Sequence, residues 1–480
     1  MDRPATKSVP TSQPAKWLVW IGVLAALLIG LMLRTIHYRD MEYKGDEAWT
    51  FEQTQTAGVK APIPTLGMPT SVSVRHPGGS LWVFLALARL TGVTTPEGLG
   101  LACMMVNSLA LVLVAIFAWQ CVPSAEREPW LWAVALAAVN PIHVLLHRKI
   151  WPPSIMPLFV VLFLIAWWYR HRRAGAFAWG LTGALIGGIY PAAMFLAIGF
   201  AVWAWLWDRA AVRWRYWLLG SMIGAAALVP WVVYVVRESS AGHVTSRSSL
   251  EAFRGLYFLR WLAQPFGLEI RPYLGRDFPD LLRHPLLAGR PTYILALAYA
   301  ALLGIAGLVL VRAIRWLRQQ DRWRSRWHGD GSATSLTVGA ALWGFGIIFT
   351  LTLLPIRHYY MVLTFPFVFV WFARLVLSSQ IATLQTGRAV LLLLCVTHLS
   401  ITMGHLGYIH EHRDRPIGGE YGVPYSAQVK HHFQPARAAD LEHDHRMEPV
   451  PGHPGLQRGA EHPPSSDGGR DRPAADRPGV

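Results

Sequence analysis

Lys44-Gly45-Asp46-Glu47 sets two adjacent carboxylates just past the first apolar run of a chain with 28 Asp+Glu against 44 Lys+Arg. An acidic pair beside a membrane surface is costly to desolvate unless it has partners or a task. The task that suits it is general-base catalysis, in which a carboxylate takes the proton of an attacking hydroxyl. The same residues also read as an ordinary helix start. Asp46 would then be the N-cap of a short helix holding Ala48-Trp49-Thr50-Phe51, with Glu47 favouring its N-terminal dipole.

Three other places gather cations. Arg75-His76-Pro77-Gly78-Gly79 leads into an apolar segment whose helical start would cradle phosphate. His147-Arg148-Lys149-Ile150-Trp151-Pro152-Pro153 and Pro355-Ile356-Arg357-His358-Tyr359-Tyr360 are short turns between apolar runs, each with cations beside aromatics. Contact with lipid headgroups accounts for Arg75 and His76 taken alone, and an aromatic belt for the tyrosines. Neither explains why three separate turns each carry Arg next to His or Lys. Together with Asp46 and Glu47 they describe a pocket able to cleave a lipid-linked sugar phosphate. One carboxylate deprotonates the acceptor, Arg75, His76, Arg148, Lys149, Arg357 and His358 hold the departing phosphate, and Trp151, Tyr359 and Tyr360 contact sugar or acceptor.

These groups need a frame, and the composition says which. The 480 residues are 53% hydrophobic and 15% charged, with 23 Trp, whereas soluble chains are roughly 25% charged. A water-soluble protein is excluded. The formal net charge of +16 is accounted for by basic cytoplasmic loops rather than by nucleic acid. Cys103, Cys121 and Cys395 all lie in apolar runs and indicate neither a disulfide framework nor a thiolate metal site.

Apolar runs long enough to span appear near 17–33, 98–121, 129–147, 152–169, 176–190, 191–207, 215–236, 291–313, 335–355, 359–378 and 388–404. The expectation is an all-α polytopic membrane protein of about eleven transmembrane helices. Residues 1–16 would be a cytoplasmic N-terminus before an uncleaved anchor, 17–405 the transmembrane domain, and 406–480 an external tail. The boundary near Pro191 is soft, since a long apolar stretch hides one broken helix or two. Ser80–Thr91 is apolar but covers roughly 20 Å of a core about 30 Å thick. If it lies along the surface as a juxtamembrane helix with Arg89 snorkelling, the basic stretches 170–173, 209–215 and 312–326 fall on the cytoplasmic side. That parity puts 37–97, 148–151, 237–290, 356–358 and the C-terminus outside.

In 237–290, Phe253, Tyr257, Phe258, Trp261 and Leu262 recur at helical spacing before Pro265, Gly267, Pro272 and Gly275, as an interfacial helix and loop that either pack on the core or close over the acceptor. Residues 427–480 are too poor in apolar groups to order themselves. His410-x-His412 and His443-x-His445 have the spacing to bind a metal weakly, for want of an ordered scaffold. The stretch Gly418–Tyr425 is a candidate to dock on the outer part.

The order of these parts resembles the GT-C superfamily of membrane glycosyltransferases, nearest the protein O-mannosyltransferase and aminoarabinose transferase branch. Asp46-Glu47 matches in position that branch's Asp-Glu pair in the first external loop. Ala48–Gly58 is similar to its amphipathic helix, Arg75-His76-Pro77 with Ser80–Gly92 to its juxtamembrane element, and Arg357-His358-Tyr359-Tyr360 to its late arginine-tyrosine turn. The resemblance covers roughly 17–405 and implies Asp46 as catalytic base, with Arg75, His76 and Arg357 on the donor phosphate. Several relatives have another acid in the second external loop. Residues 147–153 have none, which weighs against a metal-dependent mechanism and leaves Arg148 and Lys149 as phosphate ligands.

The reading is an inverting glycosyltransferase of the cell inner (plasma) membrane that uses a polyprenyl-phosphate sugar, an unidentified acceptor and membrane lipids, with no cofactor and no tightly held metal. Its rivals are a transporter or flippase of lipid-linked sugar, which intramembrane acids would favour, and a polysaccharide polymerase or ligase, which the 237–290 loop would suit.

Overall fold

The computed structural model describes residues 16–69, 74–240, 256–318, 332–352, 356–378 and 383–431. The expectations for Phe253, Pro355, the His443-x-His445 pair and the tail beyond His431 lie outside these residues. Helices dominate, with two short antiparallel ribbons. In chain order they begin with α1 (Lys16–Thr35), α2 (Gly45–Thr56), strand β1 (Leu66–Pro69) paired with β2 (Arg75–Pro77), α3 (Gly79–Thr91) and α4 (Pro96–Gln120). Then come α5 (Arg127–Val139), α6 (Pro141–Leu146), α7 (Pro152–Trp168), α8 (Arg173–Ile189), α9 (Ala192–Trp207), α10 (Trp214–Ala225), α11 (Val229–Ser240) and α12 (Leu256–Ala263). The later helices include Ile294–Arg318, Phe367–Leu377 and Leu384–Glu411.

Every expected apolar run contains helix, but eleven separate crossings are not established. Among the described residues, four helices are long and apolar enough to cross a membrane unaided, or six if two bent pairs each count as one. Prolines account for most of the difference. The 129–147 run breaks at Asn140-Pro141, and the 176–207 stretch breaks at Tyr190-Pro191. The pair α10 and α11 bends by 66° just before Pro230, and the pair around Pro366 bends by 76°. Proline lacks the N–H and crowds the preceding turn, so a helix that meets it kinks or ends.

The break after α5 shows how an apolar setting handles freed backbone groups. A helix end leaves its last carbonyls without partners, and lipid offers none. The Arg34 side chain of α1, fully buried, donates to Ala137 O (3.1 Å) and Ala138 O (2.9 Å). Thr402 Oγ1 donates to Val139 O at 2.7 Å. Asn140 then caps α6, its Oδ1 accepting from the His143 N–H. Arginine can only donate, so its contacts with His147 Nδ1 (3.0 and 3.2 Å) fix that nitrogen as the acceptor. Elsewhere small residues let backbones touch: a Cβ at Gly180 would lie 2.0 Å from Trp217 O, and one at Gly220 2.0 Å from Phe177 O, which locks α8 to α10.

The short apolar segment forms the helix α3, and Arg89 does not reach out alone: its Nη2 donates to Ala57 O at 2.6 Å and ties down the end of α2. In α12, Tyr257 and Trp261 are buried, and the Tyr257 hydroxyl donates to Ala341 O at 2.6 Å, so this helix packs on the core. The last long helix continues past residue 405 to Glu411, and Tyr425–His431 is helical with Ala427 buried. Order therefore extends beyond the expected limit of 427.

Candidate functional site

Polar side chains converge where α1 and Leu384–Glu411 end and where α2 and α7 begin. Helix α2 starts in an unexpected register. Its N-cap is Lys44, whose N–H is accepted by Glu47 Oε2 at 3.0 Å, so Glu47 supplies the cap contact expected of Asp46. Glu47 is thereby buried, while Asp46, one residue back and turned away, is exposed. Burial raises the Glu47 carboxyl to about 7, with the charge of Glu42 adding to the effect and Lys149 opposing it. Partial desolvation also raises Asp46, against Lys149, Lys44 and a hydrogen bond from the Trp151 indole.

Lys149 sits centrally. It forms an ion pair with the buried Glu42, and its ammonium lies 5.1 Å from the centroid of the Trp151 ring and 5.7 Å from that of Tyr273. Lys44 pairs with the other Glu42 oxygen at 2.8 Å and with the backbone carbonyl of Glu420. The Glu420 carboxylate lies 3.2 Å from His358 Nε2, which is also 3.0 Å from the Tyr273 hydroxyl. Arg357 is exposed beside them, and its charge acts on Glu420. Asp46, Glu47, Lys149, Trp151, Arg357, His358 and Tyr359 thus belong to one neighbourhood.

Arg75 and His76 are not in contact with the carboxylates. An aromatic row separates them: Trp151 to Tyr359 (4.9 Å between centroids), Tyr359 to Tyr360 (4.8 Å), Tyr360 to Tyr190 (5.8 Å) and Tyr190 to His76 (6.2 Å). Arg75 Nε donates to Gly67 O across the β1–β2 ribbon at 2.9 Å. Burial lowers the His76 pKa to about 4, so the ring is neutral near pH 7 and contributes no cation to a phosphate.

Arg148 is a second correction. Its guanidinium is buried and donates to Leu33 O (3.2 Å), Ile36 O (2.7 Å) and His37 O (2.7 Å), the carbonyls at the end of α1. That role engages both Nη atoms, and burial of the whole guanidinium, whose Nε has no partner, keeps it from an exposed phosphate.

The pattern missed Glu42, Tyr273 and Glu420. Glu42 lies four residues before Asp46, close enough to have been read with it as one acidic cluster. Glu420 stands in a glycine-rich turn, and nothing nearby in the chain reveals its partners. The segment around it docks by backbone pairing: Tyr43 N–H to Val423 O (3.0 Å), Glu420 N–H to Pro272 O (2.9 Å) and Tyr421 N–H to Tyr273 O (3.0 Å). Gly419 adopts φ +72° there, and a Cβ on it would meet Pro272 O at 2.2 Å.

No protein-family model and no curated protein matches the chain. Among solved structures it is similar to the Archaeoglobus fulgidus oligosaccharyltransferase in the apo form, with a TM-score of 0.41 and 14% identity over 84% of this chain. The likeness spans 57% of that chain's length.

Proposed function

We propose that this protein is a glycosyltransferase of the inner (plasma) membrane that moves a sugar from a polyprenyl-phosphate donor to an acceptor on the extracytoplasmic side, with inversion. The observation that carries the reading is the division of labour in the acidic pair: Glu47 is buried and holds the helix start, while Asp46 is exposed beside Lys149 and Lys44 and takes a hydrogen bond from Trp151.

In this mechanism Asp46 accepts the proton of the acceptor hydroxyl as its oxygen bonds to the anomeric carbon. The bond from that carbon to the phosphate oxygen breaks at the same time, and polyprenyl phosphate leaves. A raised carboxyl pKa moves the base toward the working pH and strengthens its pull on the proton. Arg357 is the exposed cation of the neighbourhood and is assigned to the departing phosphate. Lys149 holds Asp46 ionised, and Tyr359 and Trp151 form a wall for the sugar ring. Arg75, at the far end of the aromatic row, is assigned to the same donor at greater reach.

The test incubates purified protein with radiolabelled polyprenyl-phosphate sugars and compares wild type with Asp46→Asn. Donor cleavage by wild type and its loss in the variant support the reading. Lipid translocation without sugar release by either protein overturns it in favour of a flippase.

A further inference from the structure

Away from the carboxylate pair, the end of α1 and the end of the last long helix bring together His37, Asp40 and His410. One nitrogen from each histidine and one Asp40 oxygen all lie within 4.8 Å of one another. We propose that these three residues bind a zinc ion, with the fourth position open to water, and that the ion fastens the segment carrying Glu420 to the segment carrying Asp46. The inference stands on the geometry of this cluster and is independent of the catalytic reading.

The donor set suits zinc, which takes imidazole nitrogen and carboxylate oxygen in tetrahedral sites. Bonds of roughly 2.0–2.1 Å would place the ligand atoms about 3.4 Å apart. The largest separation here needs to close by only about 1.4 Å, within reach of side-chain rotation. His410 Nδ1 lies 2.6 Å from Asp40 Oδ2 in a direct contact that would open by about 0.8 Å to admit the ion.

The support around the cluster is that of a ligand site. Asp40 is buried, and Ser426 Oγ donates to its other oxygen at 2.8 Å, which orients the carboxylate as outer hydrogen bonds do for metal ligands. His37 is held at φ +50°, a left-handed conformation that a non-glycine residue adopts at a cost. Its ring stacks on His410 with centroids 3.6 Å apart and planes 17° from parallel. Two stacked imidazoles gain little from each other, and repel once both are charged. Ligation requires the stack to open until both in-plane lone pairs converge on an ion beside Asp40. Arg413, exposed, places its Nη1 3.1 Å from His410 Nε2 and 3.3 Å from His410 Nδ1, and must swing into solvent for the ion to bind. The sequence pairs His410 with His412, but the fold parts them: His412 stacks on Tyr408, with centroids 4.2 Å apart.

Zinc in place would clamp 37–40 to 410–426, where Tyr421 also donates to Asp40 O. The experiment uses full-length protein in detergent, dialysed against zinc and then against metal-free buffer. Metal content is measured by mass spectrometry, and the melting temperature is followed against free zinc. Wild type should retain about one zinc per chain and melt at temperatures that climb with zinc. His410→Phe keeps a ring for the stack, and His37→Asn tolerates the left-handed backbone; both should fold and lose retained zinc and the zinc-dependent shift. The proposal fails if wild type retains no zinc. It fails equally if both variants retain zinc as wild type does while His443→Ala/His445→Ala loses it, since the ion then sits in the tail.

Discussion

Arg34 caps the end of α5, and Arg148 caps the end of the helix that carries Arg34. Arg34, on α1, donates to the terminal carbonyls of α5, and Arg148, just beyond α6, donates to the terminal carbonyls of α1. Each charge is buried and serves by satisfying carbonyls that a helix break leaves bare. The arrangement fixes where α1 stops, and hence where Asp40, Glu42 and Asp46 begin.

Arg148→Met should therefore be a stability mutant. The buried Leu33 O and the partly buried Ile36 O and His37 O lose their donors, and a buried polar group left unsatisfied costs about 1–3 kcal/mol. Unfolding in detergent should shift by about 1–3 kcal/mol, while any activity left in the folded fraction keeps its donor KM. A raised KM in fully stable protein would put Arg148 back on the phosphate.

Glu47 should make stability depend on pH. Its folded pKa of about 7 lies above the ordinary 4.5, so the folded state binds the proton more tightly than the unfolded state does. Stability is thus greatest below about 4.5 for this group and falls as pH rises toward 7, by on the order of 3 kcal/mol. Chemical unfolding across that range should show the decline in wild type and a flatter curve in Glu47→Gln.

Trp151→Phe keeps an aromatic ring but removes the donor that favours ionised Asp46. Asp46 should then titrate higher, and the acid limb of the kcat/KM profile should move to higher pH. An unmoved limb with lowered kcat would assign the indole to substrate contact alone.

Gly419→Ala places a methyl 2.2 Å from Pro272 O at a left-handed position, where alanine is strained. The segment 418–424 should detach, becoming open to limited proteolysis, and turnover should fall, as it should in Glu420→Gln, which loses the carboxylate beside His358 Nε2. Glu420→Gln should leave the proteolysis pattern unchanged, because its backbone contacts remain.

Local information was enough for much of this protein. Long uncharged runs mark the helices, and Pro141, Pro191 and Pro366 stand at their breaks, because both signals act through the backbone nearest to them. The scarcity of acids singled out Asp46 and Glu47. Which of the two is open to solvent depends on a helix register set two residues earlier than the pattern implied. Arg148 and Lys149 look equivalent in the chain. Only packing sends one into the carbonyls of α1 and the other to Glu42. Glu420 reaches the site from about 370 positions away through backbone pairing, and no periodicity encodes a contact between segments so far apart. Burial, partner choice and charge environment are properties of the assembled surface, and they decide which residues of a given type are free to act.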